Sequence, residues 1–136
     1  MAFFNWSDER FSVHIQEIDE QHKMLISYLD ELYDAMQKGE AHKILKPLLK
    51  KLVGYAQTHF ATEEYYFRIF DYPESQKHEA EHDAFVEKVR KFQDDFNAGK
   101  AMLSIEIADF LRNWISEHIS IEDKKYSAFL NSKGVK

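Results

Sequence analysis

Residues 78–82 read H-E-A-E-H, two imidazoles four apart with an acid beside the first, the H-E-x-x-H pattern of helical zinc peptidases. In that chemistry His78 and His82 would hold the ion and Glu79 would activate its water. A third ligand is then required. The extension H-E-x-x-H-x-x-G-x-x-H fails, because Phe85 stands at the glycine position and Lys88 at the last histidine. A glutamate on a following helix is the other common third ligand, and only Glu106 offers itself. The pair points to a metal without saying which, and the remaining five of the 7 histidines decide the matter.

Those side chains must be positioned by helices. Only 4 Gly and 2 Pro interrupt 136 residues, and apolar residues recur by threes and fours. An extended arm over residues 1–17 should lead into a helix from Asp19 to Lys38, stopped by Gly39. A second helix is expected from Ala41 to Phe70, with Pro47 near its first turns. Pro73 opens a third, which runs to Asn97 and stops at Gly99. Ser104 is the expected N-cap of a fourth that extends to Ser120, with Glu106 in its first turn suiting the helix dipole. The segment EDKKYSAFL forms a short C-terminal helix. Short connections make this all-α chain an up-down-up-down four-helix bundle, read as one domain over residues 1–136.

The apolar stripes run through histidines. On the first helix the line Leu25, Ile26, Leu29, Leu32, Tyr33, Met36 steps back one turn onto His22. On the second, Leu45, Leu48, Leu52 and Ala56 lead to His59, Glu63, Phe67 and Phe70. The third carries His78, His82, Phe85, Val89, Phe92 and Phe96, with Glu79 off the line. The fourth repeats the pattern with Ile107, Leu111, Trp114, His118 and Ile121. Each of these inward polar groups costs about 1–3 kcal/mol if buried without a partner. A shared metal removes the cost. His14 and His42 fall off the stripes and are read as ordinary structural residues, not ligands.

Five imidazoles with Glu63 exceed a tetrahedral zinc site and match two ions of higher coordination number, bridged by carboxylate. Imidazole with carboxylate suits iron. Ferritin-like oxygen activation would need Glu-x-x-His on two helices, and the one such pair at the site, Glu79 with His82, has its Glu facing outward. One position stays open on spacing alone. Four residues after His118, Glu122 suits a straight helix, whereas Asp123, five on, lies about 140° around at roughly 100° per residue.

The spaced set DEQH, HFATE, HEAEH and HISIED resembles the hemerythrin family, in its single-domain bacterial form, over nearly the whole chain. The resemblance implies that His78, His82 and His118 bind one iron and His22 and His59 the other. Glu63 and Asp123 would bridge the two ions together with an oxo or hydroxo group. It thus chooses Asp123 over Glu122, which requires the fourth helix to break or loosen between Ser120 and Asp123. O2 would bind at the open position of the second iron, behind an apolar wall expected from Trp114, Ile115, Phe60, Leu25 and Ile26. Two positions depart from the family habit: His14 stands where Gly is usual, and Ile115 replaces a Leu common near the O2 pocket.

Composition narrows the partners. A net charge of −6 argues against nucleic acid and anionic membranes, and the basic run KILKPLLKK reads as the solvated side of a helix. The N-terminus has no signal-peptide pattern, and no apolar run approaches the ~18 residues of a membrane span. The absence of Cys excludes disulfides, Cys-ligated clusters and thiol catalysis, and it fits the cytoplasm. The expectation is a cytoplasmic, monomeric, non-enzymatic protein that binds O2 reversibly, for storage or for delivery to a separate O2-consuming client. Weak oxidase or peroxidase activity would be incidental. The alternatives are a redox enzyme turning over peroxide or nitric oxide at the same site, for which Tyr55, Tyr65 or Tyr66 could donate a proton or an electron, and an oxygen or iron sensor acting through a partner protein.

Overall fold

The computed structural model describes residues 7–99 and 103–136, without the side chains of Asp8, Arg10, Leu103, Ser104 and Glu122. Helix α1 spans Asp8–Phe11, α2 Gln16–Gln37, α3 Ala41–Phe70, α4 Ser75–Asn97 and α5 Leu103–Trp114. A π-helical stretch, Ile115–Asp123, continues α5 and passes directly into α6, Lys124–Ser132. Helix α2 packs on α3, α3 on α4, α4 on α5, and α5 closes back on α2. With short connections this is the expected up-down-up-down bundle.

Most breakpoints have the local cause that the sequence suggests. Gly39 takes φ 69° and stops α2, letting Glu40 N–H reach back to Ala35 C=O at 2.7 Å. Asp71, in the left-handed region at φ 53°, ends α3, and Tyr72 N–H bonds Phe67 C=O at 3.0 Å. Pro73 lies in the turn, and α4 begins two residues later, at Ser75. Pro47 falls inside α3, on an exposed face. The N-cap expected at Ser104 lies outside the described side chains.

The arm is less extended than the sequence suggests. It contains the helical turn α1, and α2 starts at Gln16 rather than Asp19. Asp19 accounts for the difference: its carboxylate accepts from Ser12 Oγ at 2.6 Å and Val13 N–H at 2.8 Å, folding the arm back over the first turn of α2. The arm is also tied to α6, whose Ser127 Oγ donates to Val13 C=O at 2.6 Å and whose Asn131 donates to His14 C=O at 3.1 Å.

The apolar interior divides into two clusters. The larger holds Leu25, Leu29, Leu32, Leu49, Leu52, Phe60, Phe85, Val89, Ile115 and Ile119 among others. The smaller, at the other end, holds Val13, Ile15, Ile18, Phe67, Tyr72, Tyr126 and Leu130. Most of the inward polar groups fall between the two in sequence: His22 between Ile18 and Leu25, Glu63 between Phe60 and Phe67, His78 and His82 between Tyr72 and Phe85, and Asp123 between Ile119 and Tyr126, while His59 and His118 lie at the edge of the larger cluster. The polar groups form a layer with apolar packing above and below.

Candidate metal centre

Seven side chains make up that layer. His22 comes from α2, His59 and Glu63 from α3, His78 and His82 from α4, and His118 and Asp123 from the π stretch, none more than 4% exposed. Their ligating atoms fall into two groups, each with all atoms within 4.8 Å of one another. One contains His78, His82 and His118, the other His22 and His59, and both contain Glu63 and Asp123. The structure therefore brings together the residues that the sequence singled out, and divides them three against two.

The π stretch solves the problem of Asp123. A helix with i→i+5 hydrogen bonds stacks residues five apart on one face, where an α-helix would turn the fifth residue well away. His118 Nε2 lies 3.0 Å from Asp123 Oδ1, and Asp123 Oδ2 lies 3.0 Å from His22 Nε2. The loosening is longer than expected, beginning at Ile115 instead of near Ser120. Ser120 Oγ donates to the Ser116 carbonyl, offering the wide turn a side-chain partner. The same widening corrects another expectation: Ile121, placed inward by α-helical spacing, is 55% exposed. The Glu122 side chain lies outside the described residues.

The donor set fits metal ions. His78 Nε2 is 2.7 Å from Asp123 Oδ1, His82 Nε2 is 3.0 Å from Glu63 Oε1, and His59 Nε2 is 3.3 Å from the same oxygen. Yet the Nε2 atoms of His22, His78, His82 and His118, Glu63 Oε1 and both Asp123 oxygens make no hydrogen bond. They are close to one another without being aligned on one another. Buried polar atoms are ordinarily paired. Seven of them converging unpaired, imidazole nitrogen with carboxylate oxygen, is the pattern of ligands to intermediate cations such as iron or zinc.

Behind the ligands stands a second layer that spacing did not reveal. Gln21 Oε1 lies 2.7 Å from His59 Nδ1, Glu64 Oε2 3.0 Å from His82 Nδ1, and Glu81 Oε2 3.1 Å from His118 Nδ1. The Gln21 and Glu64 contacts are hydrogen bonds of the kind that fix a ring and keep its proton on Nδ1, leaving Nε2 free for an ion, whereas Glu81 makes no aligned hydrogen bond and places its charge behind His118. Tyr126, wholly buried, donates its hydroxyl to Glu63 Oε2. Its position continues the inward line Asp123, Tyr126, Leu130, a signal the sequence did contain. Tyr55, Tyr65 and Tyr66 lie elsewhere: Tyr66 donates to Glu17 at 2.8 Å, Tyr55 packs edge-on against Tyr28, and Tyr65 is 56% exposed.

Charge and burial compete here. Burial pushes the His59 imidazole down to about 3, against the pull of Glu63. Burial also opposes the charged form of His118, but Asp123, Glu63 and Glu81 outweigh it and raise that imidazole to about 9. His82 is likewise raised, burial being outweighed by Glu63 and Glu64. Burial acts to raise Asp123, yet His118, His22 and His78 hold its carboxyl well below the usual range. Tyr126 is pushed well above 10 by burial and by Glu63 and Asp123, so its hydroxyl keeps its proton.

The predicted apolar wall adjoins this layer. Phe60 stacks on His82 with ring centres 3.9 Å apart and tilts toward His59 at 5.7 Å, while Trp114 stacks on His118 at 4.2 Å. Leu25, Ile26 and Ile115 are buried in the larger cluster with Phe60. Glu79, the base of a peptidase reading, belongs to neither ligand group and is half-buried; burial and the neighbouring Glu64 raise its carboxyl.

Comparison with known proteins agrees with this geometry. Bacteriohemerythrin of Methylococcus capsulatus is 31% identical over 132 residues, covering 97% of this chain and all of the relative. That of Pseudomonas aeruginosa is 32% identical over 126 residues, 93% of this chain and 80% of the relative. A hemerythrin-like protein of Naegleria gruberi is 32% identical, covering 93% of each. The crystal structure of a wild-type hemerythrin superposes with a TM-score of 0.85 at 29% identity, covering 93% of this chain and 97% of that one. A leucine-to-alanine hemerythrin variant gives 0.86 at 30% identity, covering 94% and 97%. Among the described residues no helix is long and apolar enough to cross a membrane. The hemerythrin HHE cation binding domain matches residues 13–130, and with those ligand groups at its centre the chain belongs to the hemerythrin family.

Proposed function

We propose that this chain binds O2 reversibly at a non-heme pair of iron ions, for storage or delivery. The observation that carries the reading is the uneven division of the ligands, three imidazoles against two, around the same two carboxylates. Glu63 and Asp123 would serve both positions, and the His22 and His59 position, with one imidazole fewer, would leave a place for a small ligand. When bound, a pair of ferrous ions supplies the two electrons that O2 takes up and returns. The protein's part is to keep that exchange reversible. Tyr126 steadies Glu63 Oε2 without giving up its proton. Leu25, Ile26, Phe60, Trp114 and Ile115 form the dry wall that keeps water and outside reductants from the ligand. The chain acts as a cytoplasmic monomer that passes O2 to a separate client.

The test is to reduce the iron-loaded protein without oxygen, admit O2, and strip it with inert gas while following the optical change. Full recovery of the reduced spectrum over repeated cycles is expected. Steady O2 consumption with added reductant, faster than slow spontaneous oxidation, would make the protein a redox enzyme. One zinc per chain, with peptidase activity that depends on Glu79, would overturn the iron reading altogether.

A further inference from the structure

The ligand imidazoles are not backed alike. Behind His59 stands an amide whose orientation is fixed by a relay: Thr62 Oγ donates to the Thr58 carbonyl at 3.2 Å, and Gln21 Nε2 donates to Thr62 Oγ at 3.2 Å. The Gln21 oxygen must then face His59, at 2.7 Å, and it carries no charge. His22, the other ligand of that group, has no hydrogen bond at Nδ1. Behind the three-histidine group stand two anions instead, Glu64 at 3.0 Å from His82 Nδ1 and Glu81 at 3.1 Å from His118 Nδ1. The Glu64 contact is a hydrogen bond; Glu81 Oε2 is unaligned and acts through its charge.

Resting on the two-ion reading, we propose that Glu64 and Glu81 make the three-histidine position the tighter and more electron-rich of the two, while the neutral Gln21 leaves the two-histidine position weaker. A carboxylate behind an imidazole raises its basicity and steadies a cation in front of it, whereas an amide only orients the ring. The difference in backing thus adds to the difference in ligand number. It also gives the centre a direction. Glu64 lines an open cavity of about 900 Å³ between α3 and α4, and Glu81 one of about 420 Å³ between α4 and the π stretch. The Glu64 and Glu81 side chains are 26% and 32% exposed, where solvent weakens but does not abolish their charge, while His82 and His118, at the floor of the same cavities, are 1% and 4% exposed.

Cobalt(II) added to the chelator-stripped full chain, followed by visible absorption and calorimetry, tests this. Wild type should take up two ions, one more tightly than the other. Glu64→Gln and Glu81→Gln keep an acceptor oxygen and remove the charge; each should weaken the tight step about tenfold or more and leave the weak step in place. Gln21→Glu should tighten the weak step. In the iron form, Glu64→Gln should raise the midpoint potential of one of the two one-electron reductions, about 59 mV for each tenfold change in the ferric-to-ferrous ratio. A role confined to orienting the rings would not move that potential. Circular dichroism of the stripped variants separates loss of fold from loss of affinity. Fewer than two cobalt ions per wild-type chain would overturn the two-ion reading. Two ions whose affinities and potentials respond equally, or not at all, to these substitutions would overturn the present inference alone.

Discussion

Stripped of metal by a chelator, this protein should lose stability as pH rises from 6.5 to 9, against the usual trend of a carboxylate-stabilised fold. The cause is His118, raised from 6.5 to about 9. A group raised on folding contributes stability fully below its unfolded value and loses it as pH climbs through the folded one. Across that window the folded chain keeps a proton that the unfolded chain has released, and integration at about 1.36 kcal/mol per pH unit gives about 3 kcal/mol. His82, also raised, adds in the same direction. The strongly shifted groups of the centre act elsewhere: His59, Glu63 and Asp123 titrate below the window, and Tyr126 above it. Urea unfolding followed by circular dichroism at several pH values measures the slope directly. In the metal-loaded protein the slope should reverse, because an ion must displace the His118 proton and gains on it as pH rises. His118→Gln should flatten the metal-free curve. A metal-free stability that stays level or increases between pH 6.5 and 9 would refute the charge balance described for the centre.

Asp123→Ala should lower metal content, measured by atomic emission, whereas Glu122→Ala should leave it near wild type; the opposite result would mean that the wide turn does not select the ligand. Ile115→Ala removes a side chain 3% exposed and should destabilise by about 2–5 kcal/mol, with faster spontaneous oxidation of the oxygen-loaded protein at unchanged iron content. Gly54 lies inside α3 on an exposed face, and a Cβ there meets nothing within 4 Å, so Gly54→Ala should stabilise by about 1 kcal/mol, or about 3–4 °C in the melting temperature. His14 sits at φ 58°, in the left-handed region that favours glycine; His14→Gly should gain about 0.5–1 kcal/mol in chemical denaturation after the flexibility of the unfolded chain is subtracted.

The bundle was legible in the sequence because its stops are local: Gly39 and the turn at Asp71 to Pro73 each end a helix by a conformation that particular residues favour. The inward histidines were legible because 3.6-residue spacing puts them in line with Leu, Val and Phe. The π stretch was not, since no propensity distinguishes an i→i+5 turn from an i→i+4 turn, and Asp123 could be chosen over Glu122 only through family resemblance. Gln21, Glu64 and Glu81 escaped for a different reason. They lie beside the ligands on faces that read as solvated, and their function depends on how deeply a neighbouring helix covers them. The arm reads as extended because the pull of Asp19 on Ser12 and Val13, seven and six residues away, leaves no periodic trace.

The ligands begin at His22 and end at Asp123, so a bound ion works as a removable cross-link that closes most of the chain into one loop. Opening any of the long helices then breaks metal bonds as well as apolar contacts. A loaded chain should resist proteases as a unit and a stripped one should be cut readily, so the persistence of the protein becomes a record of whether metal was available when it folded.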